Sequence, residues 1–312
     1  MTVLRCFDAE GLDASAAVAA LRDVGALRLR SRALTPAACR AALAAAGAFF
    51  ALPAGAKDAI HIRRSPHHRG YSVMHGERDH REQVHFGREE PARQTGAPHD
   101  RLRGPNQWPD GPLRAALEPF LLAVERAGTG LSAAIAGGLG FARDPLTAAG
   151  APYVLLKAIC YHPQSGDAPP RPGVAAHVDF SWLTLTLADA TGGLALRARD
   201  GAWWDVPPDD TALLVHTGEL LQFATGGAVS ATPHRVANRS CAARRLSLPT
   251  FLLPNFAAVL HAPAAGRVVD VPPGDHVHRG LVGAPTGELA VGPEEWRRKG
   301  ENRWCTRCCD GP

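Results

Sequence analysis

The chain has 312 residues, 46% of them hydrophobic and 21% charged, a composition that supports a buried core and excludes disordered or collagen-like architecture. Its formal charge of +4 is a small excess of 34 basic over 30 acidic residues, and the arginines are scattered rather than gathered into an arm, so nucleic acid is not an expected partner. Arg5, Asp8 and Glu10 stand where an apolar leader would run, no apolar stretch is long enough to cross a bilayer, and the seven cysteines read as reduced thiols, so a cytoplasmic protein without a membrane partner is expected.

Residues 14–21 and 36–50 place apolar side chains at helical spacing, and Thr35 followed by Pro36 is an N-cap and first-turn pair. Residues 24–30 alternate as a short strand between them, which predicts helix, strand, helix. From 63 to 106 the chain is polar, with strand-like pieces at 70–73 and 83–86. The histidines at 61, 67, 68, 75, 80 and 85 are irregularly spaced and read as solvated surface rather than a second metal site. Residues 112–140 have helical periodicity, with a break expected at Gly128 and Gly130 and an end at Gly137 and Gly138.

From 153 to 255 the texture changes to short runs separated by Gly, Pro, Asn and Asp, the signature of a double-sheet β-fold. The predicted strands are residues 154–161, 182–187, 194–198, 203–206, 212–215, 228–231 and 246–253. After 263 the chain becomes irregular. Its tail carries Cys305, Cys308 and Cys309, which lack the fourth ligand a zinc site needs and read as a flexible reduced tail. A mixed α/β (α+β) single domain over 1–312 is expected: an N-terminal helical and strand region (1–150) packing on the core, the core itself (151–262), and a C-terminal region (263–312).

Within the β-rich region, His177-Val178-Asp179 places an imidazole and a carboxylate on one face of an extended chain, able to chelate one ion together. A second imidazole is needed, and His234 is the best candidate, several strands further on. Two His and one carboxylate on one octahedral face leave three positions open, which fits Fe(II) oxygenases rather than structural zinc. Arg245-Leu246-Ser247 is a second i, i+2 pair, suited to gripping the far carboxylate of a small dicarboxylic acid.

In series, these motifs resemble the isopenicillin N synthase-like branch of the 2-oxoglutarate/Fe(II)-dependent dioxygenase family. The order matches from Phe49-Phe50-Ala51-Leu52-Pro53 with Lys57, through Gly70-Tyr71 and Gly104-Pro105-Asn106-Gln107-Trp108-Pro109, to His-x-Asp, Gly192-Gly193-Leu194, Gly218-Glu219, His234-Arg235-Val236 and Arg245-x-Ser247-Leu248-Pro249. The resemblance implies a distorted double-stranded β-helix (jelly roll) core with N-terminal and flanking helices. It implies Fe(II) held by His177, Asp179 and His234, and 2-oxoglutarate bound by Arg245 and Ser247 with help from Tyr161. O2 is the third reactant, and oxidative decarboxylation to succinate and CO2 drives hydroxylation, desaturation or cyclisation of a small molecule, the chemistry of secondary metabolism. Two positions depart from the family: residues 158–163 lack a frequent Asn, and Val215-His216-Thr217-Gly218-Glu219 stands where Asn and Asp are common.

Arg69, Tyr71, His85 and Arg88 fall where that family often builds substrate-pocket wall, and with Phe180 and Phe256 they are the expected pocket residues. A monomer or weak homo-oligomer is expected. Two alternatives stay open: an isopenicillin N synthase-type Fe(II) oxidase that uses no keto acid, and a non-catalytic jelly-roll binding protein.

Overall fold

The first helices start where side chains supply the missing acceptors. Asp13 accepts the Ala16 N–H at 3.0 Å and Thr35 the Ala38 N–H at 3.2 Å, each capping one of the amide donors that a helix start leaves unpaired. They open α1 (Ala14–Asp23) and α2 (Pro36–Phe50), with Pro36 in the first turn of α2. The computed structural model describes residues 4–76, 79–164, 172–237, 243–264, 267–271 and 273–274. The Cys305, Cys308 and Cys309 tail and most of the 263–312 region lie outside the described residues.

In chain order, β1 (Cys6–Asp8) precedes α1, and β2 (Ala26–Arg30) lies between α1 and α2. Then come α3 (Ala54–Asp58), the hairpin β3 (Gly70–His75) and β4 (His80–Gly87), and the long α4 (Leu113–Gly138). The later strands are β5 (Tyr153–Tyr161), β6 (Pro172–His177), β7 (Leu183–Ala188), β8 (Leu194–Arg197), β9 (Trp203–Asp205) and β10 (Leu213–Thr217). After α5 (Glu219–Ala224) follow β11 (His234–Ala237), β12 (Arg245–Leu253), β13 (Leu260–Ala264) and β14 (Arg267–Val271).

The strands form an eight-stranded sheet in the order β1-β2-β10-β7-β12-β5-β4-β3, a four-stranded sheet β6-β11-β8-β9, and the pair β13-β14. The large sheet is antiparallel except for its β1-β2 edge. Strand alternation divides its faces. Leu156, Ala158 and Cys160 of β5, Leu183, Leu185 and Leu187 of β7, and Leu248 and Leu252 of β12 join the main hydrophobic core with residues of α1, α2 and α4. The alternating residues Ile159 and Tyr161, Thr184 and Thr186, Ser247 and Phe251 face a cavity under the small sheet.

Two expectations change. The break at Gly128 does not occur, because α4 runs unbroken to Gly138. Gly128 instead lets the helix lie against the sheet, since a Cβ there would collide with Leu252 Cδ1, and packing outweighs the roughly 1 kcal/mol helix cost of glycine. Residues 228–231 are a loop, their backbone groups taken by Thr225, Gln222 and Thr217 side chains. The strand begins just beyond, at His234, after Pro233, which has no N–H to give a ladder.

Candidate metal centre and cavity

The His-x-Asp motif straddles the end of a strand. His177 closes β6, and β6 pairs antiparallel with β11 so that His177 lies directly opposite His234. The imidazole centroids are 4.1 Å apart. Asp179 follows in the loop, its backbone carbonyl accepting the Glu219 N–H at 2.8 Å. Gly218 makes this approach possible, because a Cβ there would strike the Ser181 carbonyl.

One ligand atom from each of His177, Asp179 and His234 falls within 4.8 Å of the others. Asp179 Oδ1 is 3.5 Å from His177 Nε2 and 3.7 Å from His234 Nε2. Each imidazole turns its other nitrogen to a backbone carbonyl: His177 Nδ1 to Ala175 O at 2.8 Å and His234 Nδ1 to Thr232 O at 3.1 Å. That contact puts the proton on Nδ1 and leaves the Nε2 lone pairs aimed at Oδ1, the tautomer a metal ligand requires. Two nitrogens and one oxygen fit a divalent first-row metal with positions left open.

The other carboxylate oxygen is held separately. Thr184 Oγ1 donates to Asp179 Oδ2 at 2.6 Å. Its single proton being committed there, Ser181 Oγ must donate to Thr184 Oγ1 across their 2.8 Å contact. Burial alone favours the protonated acid at Asp179, but the neighbouring imidazoles of His234, His177 and His216 outweigh it and hold the carboxyl below its usual range. Burial holds His234 well below the ordinary imidazole value and lowers His216 in the same way.

Arg245 opens β12 opposite Tyr161 of β5. It is 2% exposed, its guanidinium lies 5.0 Å over the Tyr161 ring, and its Nε donates to Gly192 O at 2.6 Å. Among the described residues its Nη1 has no hydrogen-bond partner. A buried cationic donor left open is costly without an anion. Ser247, two residues on, shares its face, and Gly173 makes room for the Tyr161 ring, whose Cδ1 lies 2.6 Å from where a Cβ would stand. The triad, Arg245, Ser247 and Tyr161 all line one cavity of about 590 Å³ of empty space including its mouth.

Strand alternation and helix packing keep all six residues of the expected pocket wall out of the lining of that cavity. Arg69 is fully buried, donating to the carbonyls of His67 and Leu102 and to Tyr153 Oη. Tyr71 points to the helical layer, with Phe49 at 6.0 Å. His85 sits on the cavity-side face of β4, yet it is 4% exposed and buried behind the wall. Arg88 forms a two-pronged pair with Glu125 of α4. Phe180 backs the wall by stacking on Phe251 at 5.5 Å, and Phe256 packs on Tyr153 at 4.4 Å.

Residues that sequence reasoning left out take those places. His216 of β10 is 2% exposed, with Nε2 3.5 Å from Asp179 Oδ2 and its ring 4.4 Å from that of His234. Thr184, Thr186, Lys157, Arg81 and Phe251 complete much of the wall. The signal was available: Lys157 and Phe251 are in phase with Tyr161 and Arg245 on strands already predicted.

Residues 153–254 match the model of the 2OG-Fe(II) oxygenase superfamily, and residues 12–111 match that of the non-haem dioxygenase in morphine synthesis N-terminal region. The 2-oxoglutarate-dependent dioxygenase thnC of Trichoderma harzianum is 28% identical over 234 residues, covering 71% of this chain and 72% of that protein. The 2-oxoglutarate-Fe(II) type oxidoreductase hxnY of Emericella nidulans is 31% identical, covering 68% of this chain and 65% of its own length. Among solved structures, a full-length Neurospora crassa protein in complex with alpha-KG is similar with a TM-score of 0.74 at 21% identity, covering 89% of this chain and 96% of that one. A 2OG-Fe(II) oxygenase family protein of Caulobacter crescentus gives 0.75 at 24% identity, covering 90% and 99%. The fold is thus the mixed α/β architecture with a jelly-roll core expected from the sequence.

Proposed function

The chain belongs to the 2OG-Fe(II) oxygenase superfamily, and from that premise we propose that His177, Asp179 and His234 hold Fe(II) while Arg245, Ser247 and Tyr161 hold 2-oxoglutarate during oxidation of a small molecule. As a member it is an oxidoreductase using Fe(II), 2-oxoglutarate and O2. The reaction outcome proposed is hydroxylation, desaturation or cyclisation of that substrate. The observation that carries the residue assignment is the coexistence, in one cavity, of two Nε2 lone pairs aimed at one carboxylate oxygen and a buried guanidinium with an open donor.

When bound, the iron with 2-oxoglutarate and O2 supplies the oxidising power for an unactivated C–H bond and releases succinate and CO2. The chain's own contribution is positional. Nδ1 contacts fix both imidazoles, Thr184 fixes the carboxylate, and Gly192 fixes the Arg245 fork. With its Nε held, Arg245 presents Nη1 and the Ser247 hydroxyl stands beside it for a distal carboxylate. The small sheet roofs this space with Val174, Leu194 and Val236, which limits water around the reacting centre. The open Arg245 donor favours the keto-acid reading over an oxidase that needs no co-substrate.

The test is anaerobic titration of 2-oxoglutarate into the Mn(II)-loaded protein, followed by succinate release under O2 with Fe(II) and ascorbate. Saturable binding lost in Arg245→Met and metal binding lost in His177→Ala are expected. Undiminished 2-oxoglutarate binding in Arg245→Met would remove the clamp assignment. The described residues contain no helix long and apolar enough to cross a membrane.

A further inference from the structure

Three imidazoles surround Asp179, and they do not face it alike. His177 and His234 each turn Nδ1 to a backbone carbonyl and Nε2 to Asp179 Oδ1. His216 is buried beside them, yet among the described residues its Nδ1 has no hydrogen-bond partner. Its Nε2 faces the other carboxylate oxygen, 3.5 Å from Oδ2. His216 is also outside the set of three side chains whose ligand atoms converge within 4.8 Å. The proton of a neutral imidazole goes where it finds an acceptor. On Nδ1 it would be a buried donor with nothing to receive it, and the Nε2 lone pair would be turned on a carboxylate oxygen. On Nε2 it points at an anion. His216 therefore has the opposite tautomer to the other two, which makes it a donor to the cluster and not a ligand in it.

The sheet explains why two donors meet at one oxygen. His216 of β10 is the register partner of Thr184 of β7, so the two side chains leave the same face side by side. Thr184 Oγ1 reaches Oδ2 at 2.6 Å, and the longer imidazole comes up beside it. At 3.5 Å the His216 contact is longer than a full hydrogen bond, but it is directed at a charged acceptor in a buried site, where such contacts keep their strength. A carboxylate oxygen has two lone-pair sites. With a donor at each, Oδ2 is withheld from a metal and Oδ1 is offered. His216 falls in the segment 215–219, where this chain departs from its family.

We propose that His216 is a positioning residue for the metal carboxylate: with Thr184 it holds Asp179 Oδ2, so that Asp179 offers the metal one oxygen and the positions the co-substrate needs stay open. This rests on the iron reading and adds to it a residue that the ligand set does not contain. A carboxylate free to turn would present both oxygens and take up one of those positions.

The experiment is anaerobic Co(II) titration of the full-length protein, read by affinity and by ligand-field absorption, in wild type, His216→Phe and His216→Gln. Phenylalanine fills the space without a donor, and the glutamine amide brings an N–H to the place of Nε2. His216→Phe should bind Co(II) at least about fivefold more weakly, with an altered absorption spectrum, and His216→Gln should recover most of both. In a Thr184→Val background the same phenylalanine should cost at least about threefold more than it does in wild type, because it then removes the last donor from Oδ2. Co(II) affinity within twofold of wild type in His216→Phe overturns the proposal. An unchanged spectrum, an equal loss in His216→Gln, or the same cost in both backgrounds also overturns it, since each reduces His216 to packing. Failure of the wild-type protein to bind Co(II) at all is a different result and sinks the iron reading. Melting curves and circular dichroism of every variant establish that it folds.

Discussion

Replacing Thr184 by valine removes one hydroxyl and almost no volume, which makes it a sharp probe of how the metal carboxylate is held. Asp179 is 2% exposed, and its Oδ2 receives the Thr184 proton at 2.6 Å, with His216 Nε2 the next group at 3.5 Å. A hydrogen bond to a charged acceptor contributes about 1.5–3 kcal/mol. In the metal-free variant the carboxylate can swing toward the three surrounding imidazoles and recover part of that. With Oδ1 committed to a cation it cannot. The difference should appear as metal affinity, with a loss of about 10- to 100-fold, as found when groups behind metal ligands are removed. Anaerobic Co(II) titration of wild type and Thr184→Val, with Ser181→Ala as the next link in the chain, measures it. Ser181→Ala should cost less, because it removes only the hydrogen bond that Thr184 accepts and leaves the Thr184 donation to Asp179 in place. An affinity for Co(II) within twofold of wild type in a folded Thr184→Val protein would refute the reasoning.

Arg245→Met should raise the 2-oxoglutarate dissociation constant at least about thirtyfold, roughly 2 kcal/mol, while leaving Co(II) affinity in the absence of the keto acid near wild type, both read by titration. Gly128→Ala pits about 1 kcal/mol of helix propensity against overpacking on the buried Leu252 and Leu185, which costs about 1–3 kcal/mol, so chemical denaturation should show a net loss; a gain would mean that α4 can lift from the sheet. The metal-free protein should lose stability as pH falls below about 6.5. His85, His234 and His216 are each lowered, first by burial, so the unfolded chain binds protons that the folded one refuses. A urea midpoint that is flat from pH 7 to 5 would contradict this.

How much of this was legible depended on what each residue needed from distant chain. The α2 limits were readable because Thr35 and Pro36 act locally. His177, Asp179, Arg245 and Ser247 could be named because they fall on or beside period-2 segments with chemistry at alternate positions. His234 could be named but not placed, since the strand carrying it is four residues long and follows a proline. The break expected at Gly128 failed for a related reason: a local propensity gave way to a contact with Leu252, more than a hundred residues on. The expected pocket residues lie off the triad's cavity because they came from position along the family's order rather than from strand phase. Tyr71 shows it: the cavity-side face of β3 carries its neighbours Gly70 and Ser72, opposite His85 and Gln83.

The central strands β10, β7, β12 and β5 are flanked on one edge by β2 and β1 and on the other by β4 and β3, so the segment translated first supplies both outer rails of the sheet. On the ribosome, Ala26–Arg30 emerges long before Leu213–Thr217, the strand it must zip to, and the β3-β4 hairpin waits for β5. Such distant pairing makes for slow, late closure. A nascent chain halted before residue 213 therefore carries β2 with an open edge where its partner belongs, and the chain must be released through Leu253 before the sheet can be completed.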